Sequence, residues 1–303
     1  VAHAWVSEGD QALVEGADLE ATNGVVHVLG GVITGGLDVV ERARVTPDLS
    51  TLVTAVVEAE LAGTLSGDGP FTVFAPVNSA FDALDPDVLG RLLEGENQAL
   101  LQKVLTYHVV PGTVRAGDLV DDTDVATVEG STVRIDLDDG ATVNGAAIVA
   151  TDIEVENGVI HLIDEVLLQH LDLVDVAIAN GFTALVDAVQ TAGLESALRD
   201  ESAALTVFAP TNEAFDAIAP VPTDPDTIQP ILLYHVVGAE AYSSDLFDGQ
   251  ELTTLQGGIL TVQLDGGVTI GGAQNSAGVV VPDVPASNGV VHVIDSVLLP
   301  PSS

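Results

Sequence analysis

The sequence predicts an α+β protein built from tandem copies of one domain, and three observations carry that prediction. The block TVFAPVNSAFDAL at 72–84 recurs as TVFAPTNEAFDAI at 206–218. Two further blocks recur in the same order: Tyr107-His108-Val109-Val110 returns as Tyr234-His235-Val236-Val237, and NGVIHLID at 157–164 returns as NGVVHVID at 288–295. Within each copy, helical spacing comes first and hairpin turns come later, which separates α+β from alternating βαβ. The offsets of 134, 127 and 131 residues define a duplicated unit of ordinary single-domain size. A length of 303 residues suits about two such domains.

Residues 1–36 come first. NGVVHVL at 23–29 repeats the last block again, and Asp18, Asn23 and His27 align without gaps on Asp152, Asn157 and His161. The segment therefore reads as the trailing β portion of an incomplete repeat, ahead of full repeats at 37–170 and 171–303. Its apolar residues Val25, Val26, Val28, Leu29, Val32 and Ile33 need cover that so small a piece cannot supply alone. They are candidates for a strand shared between subunits, giving head-to-tail assembly. Packing in cis on the next repeat and truncation of a longer multi-repeat protein are the alternatives. Val1 in place of Met is read as removal of a signal peptide or other upstream region.

The first full repeat opens with an expected helix over 48–62. Asp48 is its candidate cap, Leu49, Leu52, Val53, Val56 and Val57 its apolar face, and Gly63 its stop. Residues 71–75 alternate as a short strand ended by Pro76, and Asn78 is placed to cap a short helix carrying Phe81. Residues 88–105 hold one or two helices separated at Gly95. Beyond Tyr107 the texture turns to β. Val125–Val128 and Thr132–Leu137 flank a Glu129-Gly130 turn, and Asp139-Gly140, Asn144-Gly145 and Asn157-Gly158 are hairpin dipeptides tolerant of positive φ.

The recurring motif residues read first as structure. Asn78 and Asn212 offer side-chain acceptors for orphan N–H groups of a first helical turn, and Phe81 and Phe215 follow on the core side. Asn157 and Asn288 open tight turns. His161 and His292 lie on apolar strand faces, where a ring satisfies itself on a backbone carbonyl or on a nearby carboxylate such as Asp164 or its counterpart Asp295. Tyr107-His108 and Tyr234-His235 lie where helix gives way to strand. They are candidates either for the rim of the core or for a partner-binding surface.

Charge narrows the function. There are 46 acidic residues against 7 basic ones, a net charge of −39, and Lys103 is the single lysine. Nucleic-acid binding and electrostatic attachment to an anionic membrane both need clustered Lys and Arg. No uncharged stretch exceeds the 17 residues of Ala21–Leu37, which is too short and polar to insert in a membrane. Acids spread along the chain, with 29 Asp and 17 Glu, read as adaptation to high salt, because molar salt shortens the Debye length to about 3 Å. With no Cys in the chain, disulfides, thiolate metal sites and thiol nucleophiles are excluded. No G-x-S-x-G elbow, phosphate loop, H-E-x-x-H or dinucleotide fingerprint occurs, so no catalytic, cofactor-binding or metal-binding residue is assigned. Asp136-Leu137-Asp138-Asp139-Gly140 lacks full calcium-loop spacing and reads as a solvated turn.

The pair TVFAP-x-N-x-AF and NGV-[IV]-H-x-[IL]-D, with Tyr-His between, resembles the fasciclin (FAS1, beta-Ig-h3) family over two complete copies and the trailing part of another. That resemblance implies a wedge of two β-sheets with a group of helices in each domain. It also implies an extracellular or cell-surface location, a non-catalytic role in adhesion or as a matrix or filament protein, and recognition through the Tyr-His region. The implied partner is a second copy, another cell-surface protein or a polysaccharide. The alternative is a monomeric calcium-, small-ligand- or polysaccharide-binding module. The first copy departs from the pattern, with Gly30 where the last motif has Asp.

Overall fold

The structure, a computed structural model, describes residues 36–301 apart from 139 and 219, together with the backbone of 3–7, 10–22 and 24–29. It divides into two compact units, 1–84 with 101–167, and 85–100 with 168–303. At the N-terminus β1 (His3–Ser7), β2 (Asp10–Ala21) and β3 (Gly24–Leu29) form an antiparallel sheet in that order. Val25, Val26, Val28 and Leu29 lie on β3, which among the described residues pairs with β2, from Val14↔Leu29 to Ala21↔Gly24. Val32 and Ile33 lie outside the described residues.

Asp38 caps α1 (Val39–Val45), its carboxylate accepting the Glu41 N–H at 2.8 Å while Glu41 reaches back to the Asp38 N–H. The single helix expected over 48–62 is instead a 3₁₀ turn over Pro47–Leu49, then α2 (Ser50–Glu58) and α3 (Ala62–Leu65). Asp48 sits inside the 3₁₀ turn rather than at a cap. The break comes at Glu60, not Gly63: Glu60 adopts φ 57°, and Leu61 N–H closes back onto the Val56 carbonyl at 3.0 Å. This is the left-handed helix ending that glycine normally supplies, and the second repeat does supply it, with Gly193 at φ 65°.

The rest of the first repeat follows the expected order. It comprises β4 (Phe71–Pro76), α4 (Asn78–Asp82), α5 (Pro86–Leu92), α6 (Gln98–Tyr107), β5 (Val109–Pro111), β6 (Thr123–Ala126), β7 (Thr132–Asp136), β8 (Thr142–Val143), β9 (Ala146–Val155) and β10 (Gly158–Ile163). Gly95 opens the 3₁₀ turn separating α5 from α6. Asn144 (φ 49°) and Gly145 (φ 87°) make the turn between β8 and β9, both left-handed as such a two-residue hairpin needs.

The sheet order is β5-β4-β10-β9-β8-β7-β6. The two sheets implied by the resemblance are thus continuous through β9, which pairs with β8 at its start and with β10 along the remainder. β10 runs parallel to β4, from Gly158↔Phe71 to Ile163↔Pro76. Gly158 is required at that junction, because a Cβ there would stand 1.9 Å from the Phe71 carbonyl oxygen.

The second repeat has α7 (Leu173–Ala179), α8 (Thr183–Thr191), α9 (Glu195–Leu198), β11 (Leu205–Pro210), α10 (Asn212–Asp216) and α11 (Pro225–Tyr234). Its later strands are β12 (Val236–Val237), β13 (Glu251–Thr253), β14 (Ile259–Gln263), β15 (Thr269–Gly271), β16 (Ser276–Ala286) and β17 (Gly289–Ile294). The order β12-β11-β17-β16-β15-β14-β13 reproduces the first sheet. One α-helix, α11, stands where the first repeat has α5 and α6. Residues 85–100 group with this second compact unit, where the Arg91 guanidinium lies against Gly181.

Candidate functional site

The recurring polar residues converge on one segment of each repeat, the stretch that follows Tyr-His. At its start Tyr107 and His108 are buried, 3% and 2% exposed, as are Tyr234 and His235. These side chains do not form the partner-facing surface considered from the sequence, because each polar atom is spent inside. The Tyr107 hydroxyl donates to the Thr132 carbonyl at 2.8 Å and accepts from Asn144 Nδ2 at 2.6 Å. Tyr234 repeats this with the Ile259 carbonyl at 2.9 Å and the Ala273 N–H at 2.9 Å. Burial holds the Tyr107 hydroxyl above its ordinary pKa, against the lowering effect of the Asn144 hydrogen bond.

Each His is a latch. His108 Nδ1 donates to the Val104 carbonyl at 2.8 Å, and Nε2 accepts the Leu167 N–H at 2.9 Å. His235 does the same between the Ile231 carbonyl (2.8 Å) and the Leu298 N–H (2.9 Å). An accepting Nε2 fixes the neutral tautomer with its proton on Nδ1. Burial pushes the pKa of both rings down to about 4.

Four anchors then hold the segment beyond. Thr72 Oγ1 donates to the Gly112 carbonyl at 2.7 Å and accepts the Val114 N–H at 2.8 Å. His161 Nε2 donates to the Val114 carbonyl at 2.8 Å, while its Nδ1 accepts the Asp152 N–H at 3.3 Å. The Asp152 carboxylate accepts the Ala116 N–H at 2.9 Å, and Asp121 accepts the Leu137 N–H at 2.7 Å. The second repeat matches each one. Thr206 holds Ala239 and Ala241, His292 holds the Ala241 carbonyl, Asp283 holds the Ser243 N–H and hydroxyl, and Asp248 holds the Leu264 N–H. Both imidazoles also stack on the strand Phe, with Phe74–His161 centroids at 5.6 Å and Phe208–His292 at 5.5 Å. Asp152 and Asp283 sit at φ 58° and 57°, which turns their N–H toward the imidazole. At the end of each held segment an apolar side chain faces solvent: Val120 and Phe247, both 62% exposed.

The remaining motif residues fasten the framework, partly in ways the sequence reading did not give. Asn78 is the first residue of α4 and caps a different helix: its Oδ1 accepts the Thr51 N–H at 3.0 Å and its Nδ2 donates to the Pro47 carbonyl at 3.0 Å. Asn212 ties Ala184 and Gly181 likewise, while Thr211 caps α10. The cap expected within one helix is a tie between two. Asn157 is more than a turn residue. Its Oδ1 accepts the Val39 N–H at 3.0 Å and its Nδ2 donates to the Leu65 and Gly67 carbonyls. Asn288 makes the same contacts with Leu173, Leu198 and Asp200. Asp164 and Asp295 accept the Ala147 and Gly278 N–H groups, so the two buried His find carbonyls and not these carboxylates. Phe81 and Phe215 are buried in the core. Thr72 and Thr206 went unread in the sequence, although the signal was present: a buried Thr opening both TVFAP blocks.

Among the described residues no three His, Asp or Glu side chains stand together to hold a metal ion. Nor is any helix there long and apolar enough to cross a membrane.

The fold and its internal anchors thus define a tandem-repeat α+β protein whose motif residues position one surface segment per domain. The chain belongs to the fasciclin domain family, whose model matches residues 47–169 and 180–300. It is 35% identical to human periostin over 248 residues, covering 80% of this chain and 29% of periostin. It is 33% identical to pig transforming growth factor-beta-induced protein ig-h3, covering 79% of this chain and 36% of that one. The chain therefore spans about a third of the length of these two relatives. It is also 42% identical to protein sll1483 of Synechocystis, covering 50% of this chain and 84% of the other. Among solved structures, a FAS1 domain pair from the insect cell adhesion molecule fasciclin I aligns with 83% of this chain and 97% of its own, at a TM-score of 0.40 and 18% identity.

Proposed function

We propose that this chain is a non-catalytic adhesion or matrix protein of the cell surface or extracellular space, recognising its partner through the segments 112–122 and 239–249. One observation carries the reading. Threonine, imidazole and aspartate anchors from separate strands all converge on that segment, and an exposed Val120 or Phe247 ends it. Buried polar groups spent on holding a surface loop rigid lower the entropy lost on binding, and an exposed Phe suits an interface anchor. The partner is a second copy, another cell-surface protein or a polysaccharide, and residues 1–36 act as the connector if copies join. The −39 charge suits work in concentrated salt.

Sedimentation velocity in molar salt, with electron microscopy, tests the assembly part on the full chain and on one lacking residues 1–36. Ordered polymers from the full chain alone support a connector. Monomers from both move the function to a foreign partner. Adhesion to a matrix-coated surface that survives Phe247→Ser together with Val120→Ser would overturn the recognition segment.

A further inference from the structure

The geometry points to a binding site for the tip of an uncharged aliphatic chain in the helical layer of each repeat, the larger one in the second. In the second repeat an apolar cavity of about 50 Å³ lies between α7, α8 and α9 above and β11 below, over Ala177, Leu185, Val207 and Leu232. The first repeat has its counterpart, about 30 Å³, over Ala43, Leu52, Val73 and Leu105. The same space thus recurs at matching positions in two copies whose sequences have diverged.

Its chemistry is uniform. The only polar side chain on either wall is the latch imidazole, His108 or His235. Both of its nitrogens are already committed, to Val104 and Leu167 or to Ile231 and Leu298. A water there would lack the two to four polar partners it needs, and apolar cavities of this kind stay dry and take up hydrocarbon or xenon. At roughly 10–15 Å³ per water-sized body, 50 Å³ takes about three to five heavy atoms, the end of an alkyl chain and not a ring system.

The second cavity also has a lip. Val186, Leu233 and Leu255 line it and are partly exposed, Leu255 by 50%. A chain whose tip enters would run its remaining carbons over this lip. The lining itself selects the head group, because it carries no Lys or Arg to pair with a carboxylate or phosphate. The ligand class is therefore an alkanol, alkyl ester or similar neutral lipid. This site is separate from the exposed segments proposed for adhesion and stands or falls without them.

Decan-1-ol is the probe, titrated into the full chain carrying ¹³C-methyl Leu and Val. Saturable shifts are expected at the Leu185, Val207 and Leu232 methyls, with weaker ones at Leu52, Val73 and Leu105. Ala177→Leu fills the second cavity and should abolish its shifts while those of the first repeat persist. Leu255→Asn, at the exposed lip, should weaken binding to the second repeat at least tenfold without disturbing the fold, and it decides the matter if Ala177→Leu fails to fold. No saturable shift up to the solubility limit of decanol, or equal binding by the parent and Leu255→Asn, overturns the proposal.

Discussion

Acid should open the two histidine latches. Each ring is buried and must be neutral for Nε2 to accept the Leu167 or Leu298 N–H. In the unfolded chain the same ring protonates near pH 6.5, whereas in the fold its pKa is pushed down to about 4. Between those values the unfolded state binds more protons, so stability is complete above pH 6.5 and drains away as pH falls to about 4. A shift of about 2.5 units at 1.36 kcal/mol each corresponds to about 3 kcal/mol per domain, or roughly 10 °C in melting temperature for a domain of this size. Carboxylate protonation relieves the like-charge repulsion over part of the same range and acts in the opposite sense, so the test belongs in molar salt, where that repulsion is screened. Urea melts at pH 7.5, 6, 5 and 4.5 on the parent and on His108→Gln/His235→Gln read the effect. The parent should lose stability across the series. The double variant should start lower at pH 7.5 and change less. An equal unfolding free energy in the parent at pH 7.5 and 4.5, or an undiminished slope in the double variant, would refute the latch argument.

Other substitutions separate what is buried from what is merely charged. Asn288→Ala strands the Leu173 N–H and the Leu198 and Asp200 carbonyls, and should cost the second repeat about 3 kcal/mol in chemical denaturation. Arg199, 31% exposed, bridges the buried carboxylates of Asp172 and Asp175 at 2.7 and 2.6 Å. Arg199→Ala should therefore cost about 3–5 kcal/mol. Arg115→Ala, which breaks an exposed pair with Glu154, should cost under about 1 kcal/mol, and similar losses for the two would contradict the burial argument. The melting temperature of the parent should rise from dilute buffer to molar salt, and a flat response removes the salt-adaptation reading.

The repeats, the helix-then-hairpin order and the strand bearing His161 are legible in the sequence because they rest on periodicity and on turn residues, both local signals. Most of the failures share one cause, that the deciding contact is remote. Asn78 has the right chemistry for a cap, but the helix it caps begins at Ser50. Asn157 advertises a turn, yet its amide reaches Val39 N–H, 118 residues away. Glu60 carries no sign that it will take the left-handed place its counterpart Gly193 fills. Tyr-His suits both the rim of the core and a partner-binding surface, and only the positions of Thr132 and Leu167 decide for the core.

The neighbourhood of β4 and β10 has a consequence for how the chain is made. Phe71–Pro76 and Gly158–Ile163 lie side by side as the second and third strands of the sheet, and the second repeat pairs Leu205–Pro210 with Gly289–Ile294 in the same way. In each domain this pairing therefore waits for a strand synthesised roughly 85 residues later. At about 5–20 residues per second that is several seconds in which a nascent TVFAP strand has at most the short β5 or β12 along one edge and no partner along the other. Such high contact order makes for slow closure, and an all-or-none one: a ribosome stalled short of the last strand holds helices without this strand pair to pack on.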